Sequence, residues 1–348
     1  MVIFHAADLH LKADQEQRLA ILKWLVDQAG KARAGAFVIA GDLFDSDTDA
    51  RLLRPAVKGI LEGAAATTFF VIPGNHDAGS FHPDHDYGRN VVPLTAKPFQ
   101  LADHGGLRFG GVPYQDKDFT DCVKDLPRDV DILIVHGTLY DRDFIRQLVE
   151  DEETKYLPIL PPDLENIARY VALGHIHSRP FEKSYKNTRV ASPGSALALD
   201  VKCRSKRIFY RLVMDRTKLE LAPVEIEPAP YWQDEAFFVF PGNEERTLQA
   251  LRDRLSGLDP NRIMPNIIVR GFLGEKGREF SAQIAKIRDS FLARFPDLTL
   301  DDRDIRSWDQ IMTHPMVQKF IAKTDALDPD LKYKIYELIF PIFSETIK

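Results

Sequence analysis

The chain has 348 residues, 44% hydrophobic and 28% charged, the composition of an ordinary globular protein, which excludes disordered and fibrous classes. That length predicts one large domain and one smaller one. With 46 basic against 52 acidic residues the net charge is -6, so there is no general cationic coat for nucleic acid and any polyanion site must be local.

In chain order, Met1 leads straight into an apolar run with no basic leader. No stretch reaches the roughly 18 to 20 apolar residues of a membrane span. β-Branched runs at residues 2–4, 36–40, 69–72, 131–135 and 170–173 predict buried strands. Between the first two, Leu19, Leu22, Val26 and Ala29 recur at helical spacing and predict a helix packed on a sheet. The alternation is that of an α/β sheet protein. Residues 222–230 carry Pro223, Pro228 and Pro230, which forbid helix and predict an extended linker at a domain boundary. Strands at 236–240 and 267–272, each followed by a helix (244–255 and 278–295), predict a small α/β module. Helices at 311–321 and 331–340 follow, the second ending near Pro341. The expected division is therefore 1–222, 231–300 and 301–348. Cys122 and Cys203 make no disulfide framework and no CxxC pair, so a reducing, cytoplasmic setting is expected.

Histidine and aspartate gather just after predicted strands, where open α/β sheets place their ligands. Asp8-Leu9-His10 follows the first strand; residues two apart in extended chain point the same way, so a carboxylate and an imidazole can grip one ion. In Gly41-Asp42-Leu43-Phe44-Asp45 the glycine permits a sharp turn, leaving Asp42 two oxygens with which to bridge a pair of cations. Pro73-Gly74-Asn75-His76-Asp77 offers an amide oxygen, an imidazole and a carboxylate in succession. His136-Gly137 and Gly174-His175-Ile176-His177 close two further strands, the latter presenting two imidazoles to one side. Each motif alone has a structural alternative: a helix cap for Asp42, turn chemistry for Asn75, a core role for any histidine. Together they hold five of the ten histidines and converge on one sheet edge, which predicts a metal site. Carboxylate, amide and imidazole without thiolate suit Mn first, with Fe, Zn or Co as alternatives. Two such ions roughly 3.5 to 4 Å apart would activate a bridging water for in-line displacement at phosphorus. His76 is expected to contact the phosphate and protonate the leaving oxygen, because Asn75 beside it is the better ligand.

The series DLH, GDLFD, GNHD, HG and GHIH resembles the calcineurin-like metallophosphoesterase superfamily. Asp45 closing GDLFD, Asp77 after GNH and the run Ser192-Pro193-Gly194-Ser195 are most similar to the SbcD type of DNA repair nuclease. The resemblance implies two facing β-sheets with helices outside, followed by a smaller α/β capping domain that positions DNA and by C-terminal helices. It implies one metal held by Asp8, His10, Asp42 and His177, a second held by Asp42, Asn75, His136 and His175, and His76 as the catalytic histidine. It also implies an SbcC-like coiled-coil ATPase partner docking through the C-terminal segment, and homodimer formation through helices of the catalytic domain. The tail residues Met312, Met316, Phe320, Ile335, Leu338 and Ile339 are the candidate docking stripe, with helix core as the alternative.

Outside these motifs, Lys202, Arg204, Lys206 and Arg207 form a dense basic cluster beside Ser195. Lys202, Arg204 and Ser195, with Arg89 and Arg179 flanking motif loops, are candidate phosphate contacts. His82, His85 and Asp86 follow GNHD but are read as a solvated loop, His5 as strand core, His104 and His314 as surface, and the two cysteines as structural. The expected function is a two-metal DNA nuclease. The alternatives are a small-molecule phosphodiesterase for a cyclic nucleotide or nucleotide-linked lipid precursor, and a scaffold without activity.

Overall fold

The computed structural model describes residues 1–142, 156–274 and 277–347. Its compact units are Met1–Tyr231 and Trp232–Lys348.

The first unit is built on two six-stranded sheets. One has the order β12-β11-β1-β2-β3-β4, comprising β1 (Val2–Ala6), β2 (Ala36–Ala40), β3 (Thr68–Ile72), β4 (Val91–Pro93), β11 (Ile208–Met214) and β12 (Leu219–Glu225). The other has the order β5-β6-β7-β8-β10-β9, comprising β5 (Gln100–His104), β6 (Leu107–Val112), β7 (Ile132–His136), β8 (Tyr170–Gly174), β9 (Phe181–Tyr185) and β10 (Thr188–Ser192). Strands β1 to β4 run parallel, as do β6, β7, β8 and β10, so both sheets deliver strand ends to the same edge.

Alternation along each strand separates the packing layers. Ile3, Val38, Phe70, Ile134 and Ala172 fill the space between the sheets. Phe4, Phe37 and Phe69 face the other way, against α1 (Glu16–Lys31) and α2 (Asp47–Glu62). Leu133, Val171 and Leu173 pack on the far side of the second sheet. Helix α2 opens on Ser46, whose hydroxyl accepts from Asp49 N.

Residues 219–225 correct the linker expectation. They form the edge strand β12, paired antiparallel with β11. Pro223 lacks an N–H, and an edge strand needs only one hydrogen-bonded side.

The second unit has one three-stranded sheet, in the order β13-β14-β15, with β13 (Tyr231–Val239), β14 (Ile263–Leu273) and β15 (Thr299–Ser307). After the short α3 (Phe119–Val123) of the first unit, its helices are α4 (Glu244–Gly257), α5 (Gly277–Phe291), α6 (Trp308–Met312), α7 (Pro315–Thr324) and α8 (Pro329–Thr346). Strand β15 escaped the sequence reading because its acidic stretch Asp301-Asp302-Arg303-Asp304 reads as loop, yet it pairs parallel with β14 across a bulge. The expected division at 300/301 therefore falls inside a strand. The single helix expected at 311–321 is two helices, parted at Thr313-His314 by Pro315 at the start of the second. Conversely α8 continues through Pro341. The lost hydrogen bond costs about 3 kcal/mol, offset by Phe340 and Phe343, which pack with Phe240, Phe272 and Val317 in a buried aromatic cluster. Among the tail residues, Phe320, Met312 and Ile339 pack on this cluster, whereas Met316 and Leu338 are exposed.

Candidate metal centre

The residues at or just past the ends of β1, β2, β3, β7 and β8 meet at one sheet edge. The backbone is held there in an unusual state. Asp8, His10, Asp42 and His175 all have positive φ, at 52°, 45°, 47° and 98°, each costing on the order of 1–3 kcal/mol for a residue with a side chain. Strain of this kind persists where packing over-determines it, as at functional sites. Two glycines are required by close approach. A Cβ on Gly41 would lie 2.1 Å from His136 Nδ1, and one on Gly74 would lie 2.0 Å from Asp42 Oδ1.

Among the described residues three groups of possible ligands result; His10, Asp45 and His76 form one at the rim, and the other two share Asp42. Of these two, Asp8, His10, Asp42 and His177 form one, with Asp42, His136 and His175 the other. His10 Nε2 is 3.0 Å from His177 Nε2 and 3.7 Å from Asp42 Oδ2. Asp8 receives the His175 backbone N–H at 3.0 and 3.1 Å on its two oxygens. Asn75 reaches the second group, its Oδ1 lying 3.0 Å from His136 Nε2.

The arrangement fits a cation. His136 Nδ1 donates to the Ala40 carbonyl at 2.9 Å, so its Nε2 lone pair converges on Asn75 Oδ1 and on Asp42 Oδ2, 3.2 Å away. Asp42 Oδ2 is buried with no backbone donor, facing the His136 and His10 imidazoles at 3.2 and 3.7 Å. Lone pairs facing one another need a positive charge between them. Without an ion a proton supplies it. Burial opposes a charge on His136, but the Asp42 carboxylate outweighs burial and pushes the imidazole up to about 9. Burial would likewise raise Asp42, yet His136 and His10 hold it below the usual carboxylate range. Burial and then the neighbouring His10 push His177 well below the usual imidazole value, the neutral form that a ligand requires.

His76 stands at the exposed rim of this centre. Its backbone N–H donates to Asp42 Oδ1 at 2.9 Å, its Nδ1 donates to the Asp45 carbonyl at 3.2 Å, and its ring lies 4.7 Å from that of His10.

Three further residues, outside the expected ligand set, support the site. Asp45 lies 3.3 Å from His10 Nδ1, and the hydrogen bond from His10, aided by Arg18 and Lys12, holds its carboxyl low. Asp77 is buried and accepts from Gly74 N at 2.8 Å and Phe44 N at 3.1 Å, tying the third motif to the second. Burial, with the nearby Asp42 charge, pushes it up to about 7. Arg207 is fully buried and donates to the backbone carbonyls of His177 at 2.9 Å and Ser195 at 3.0 Å, bracing the His177 loop. The aspartates belonged to quoted motifs, so their spacing was a usable signal. Nothing in the sequence distinguished Arg207 from its exposed basic neighbours.

The candidate phosphate contacts differ in their surroundings. Ser195 is fully buried, its hydroxyl donating to the carbonyls of Leu197 and His177. It braces the same loop from inside the core, a structural setting in place of the exposed phosphate contact expected. Arg207 likewise leaves the expected basic cluster. Lys202 and Arg204 are exposed on a turn, where Arg204 Nε donates to Val201 O at 3.2 Å. Arg89 is exposed beside the Lys58–Asp86 ion pair, and Arg179 is half-buried near Gly194. His82 and His85 stay in the loop, pairing with Asp84 at 3.2 Å and with the Ser80 carbonyl at 2.7 Å. His5 is a core residue, bonded to the Tyr170 hydroxyl at 2.8 Å. His104, expected at the surface, is partly buried with Nε2 donating to the Gly35 carbonyl at 3.0 Å, and half-buried His314 caps α7. Both cysteines are buried free thiols.

The family model for calcineurin-like phosphoesterases matches residues 1–179. No curated protein matches the chain. Among solved structures, the chain is similar to purple acid phosphatase PPD1 from yellow lupin (Lupinus luteus) seeds, with 16% identity and a TM-score of 0.45, over 67% of this chain and 52% of that one. It therefore spans about half the length of the lupin protein. It is also similar to a dimetal phosphatase from Danio rerio, with 10% identity and a TM-score of 0.44, over 65% of this chain and 96% of that one. A third likeness is to GAP50, the anchor in the inner membrane complex of Plasmodium, with 11% identity and a TM-score of 0.44, over 66% and 86% of the two chains. Among the described residues, no helix is long and apolar enough to cross a membrane.

Proposed function

The chain belongs to the calcineurin-like phosphoesterase family, and from that membership we propose that it is a two-metal phosphodiesterase that cleaves DNA, a nuclease of the SbcD type. The observation that carries the hydrolytic part is the pair of ligand groups joined by Asp42, whose buried Oδ2 has no backbone donor and faces the His136 and His10 imidazoles. The DNA part is supported by the motif details, the Asp45 and Asp77 positions and the Ser192–Ser195 run among them, and by the α/β unit that follows the motifs.

In this reading Asp8, His10, Asp42 and His177 hold one divalent ion, and Asp42, Asn75, His136 and His175 the other, with Mn as the proposed metal. Bound there, the ions would supply Lewis acidity toward a water and the phosphate oxygens. The chain's own residues keep that chemistry aligned. The Ala40 carbonyl fixes the His136 tautomer, so Nε2 keeps its lone pair directed inward. Asp45 orients His10 through Nδ1, and the His76 N–H fixes Asp42 Oδ1, leaving Oδ2 inside the cluster. With Nδ1 engaged by the Asp45 carbonyl, Nε2 is the His76 ring atom that would hand a proton to the leaving oxygen.

The test is incubation of the purified protein with Mn and end-labelled linear double-stranded DNA, with bis-p-nitrophenyl phosphate in parallel and His76→Ala as control. Degradation of DNA by the unaltered protein alone is expected. Hydrolysis of the small diester with DNA untouched would transfer the proposal to a small-molecule phosphodiesterase, and no hydrolysis of either at saturating Mn would overturn it.

A further inference from the structure

Beside the metal centre lies a cavity of about 240 Å³ that none of the metal or catalytic assignments uses. One wall comes from the ends of the third motif loop, Pro73 before Gly74 and Gly79 and Phe81 after Asp77. The facing wall comes from the chain just past β4 and β6, where Lys97 and Tyr114 contribute. The cavity thus sits at the same sheet edge as the ligands and shares with them the loop that carries Asn75 and His76.

Tyr114 connects the two. Its backbone N–H donates to the Pro73 carbonyl at 3.1 Å. Its ring meets that of Tyr156 edge-on with centroids 5.6 Å apart, and Tyr156 meets His175 in the same manner at 5.7 Å. A group seated against Tyr114 is therefore two rings away from a metal ligand.

The lining sets Tyr114 among Pro73, Pro83 and Pro113, with Thr95 and His82 as polar members, and among the described residues that form it Lys97 supplies the one permanent positive charge. Such a surface fits a planar ring joined to an anion. The volume lies below the roughly 300–1,000 Å³ of sites for drug-sized ligands, which suits one ring system and excludes stacked bases of a duplex. We infer that this cavity is the subsite for a single nucleobase adjoining the scissile phosphate, stacked on Tyr114 with Lys97 on the neighbouring phosphate. The inference deepens the diester reading and rests on it: a strand would present one unstacked base there, and sequence tolerance is expected because every base has a π-face.

Binding of thymidine 5′-monophosphate and of 2-deoxyribose 5-phosphate to the full, metal-free chain, followed by NMR titration, tests this without turnover. The base is expected to tighten binding roughly tenfold. Tyr114→Ala should abolish that preference and leave deoxyribose phosphate affinity unchanged, while Tyr114→Phe, which keeps the stacking face, should retain it. Equal affinity for the two ligands, or a preference that survives Tyr114→Ala, would overturn the subsite. Hydrolysis of bis-p-nitrophenyl phosphate with Mn, measured alongside, reports on the diester reading separately, since its failure leaves the base preference standing.

Discussion

Asp42 and His76 make opposite demands on their surroundings. Asp42 is buried between two histidines with one oxygen held by a backbone N–H and the other facing their imidazoles, which suits a bridge between cations. His76 is exposed and groups with His10 and Asp45, outside the two sets that share Asp42, which suits proton transfer. Replacing His76 with Ala should therefore leave metal affinity unchanged and lower turnover roughly 10²–10⁴-fold. Asp45→Asn should do the reverse in kind, weakening metal affinity about 10–100-fold by releasing His10 from its orienting partner. Calorimetric Mn titration of both variants beside turnover separates the cases, and equal loss of affinity and turnover in His76→Ala would contradict its role. These ligand positions were legible because each follows an apolar strand and spacing fixes which side chains share a face. Ser195 and Arg207 were misjudged for a physical reason: polarity in sequence reads as exposure, whereas both satisfy buried backbone carbonyls on the His177 loop.

Strand β1 shows how an element joins core and site. Its inner face carries Ile3 and His5 into the space between the sheets, and its end delivers Asp8 and His10. Burial pushes the His5 imidazole down to about 3, against roughly 6.5 in an unfolded chain. The unfolded chain thus takes up a proton that the folded one refuses, so His5 contributes its full stability above pH 6.5 and loses it as pH falls toward 3. Between pH 7.5 and 5.5 this amounts to about 1 kcal/mol. Urea unfolding of His5→Leu should show a decline over that interval smaller by this amount, and a decline equal to that of the unaltered protein would refute the assignment. Elements with clean periodicity, such as β2 and α4, were legible in the sequence. The misreadings follow from context: Pro223 is tolerated at a sheet edge, Pro341 within a helix pinned by Phe340, and the acidic β15 beside the buried β14.

At the scale of the molecule, two sheets of parallel-rich topology bring five strand ends to one edge, and that convergence turns scattered motifs into a centre. The second unit has its own sheet and an aromatic core around Phe340. The α/β character of both units was visible in the alternation of strands and helices. The partition of twelve strands between two sheets was not, because pairing partners are set by packing between residues far apart in sequence. What the architecture offers is one carboxylate, Asp42, common to two groups of possible metal ligands, and the proposal makes it a bridge. The most direct measurement is Mn stoichiometry by equilibrium dialysis and elemental analysis for the unaltered protein and for Asp42→Ala, with circular dichroism to check that both are folded. Two ions per chain, both lost on replacing Asp42, is the predicted result. A folded Asp42→Ala that retains two ions, or an unaltered protein that binds none at saturating Mn, would contradict it.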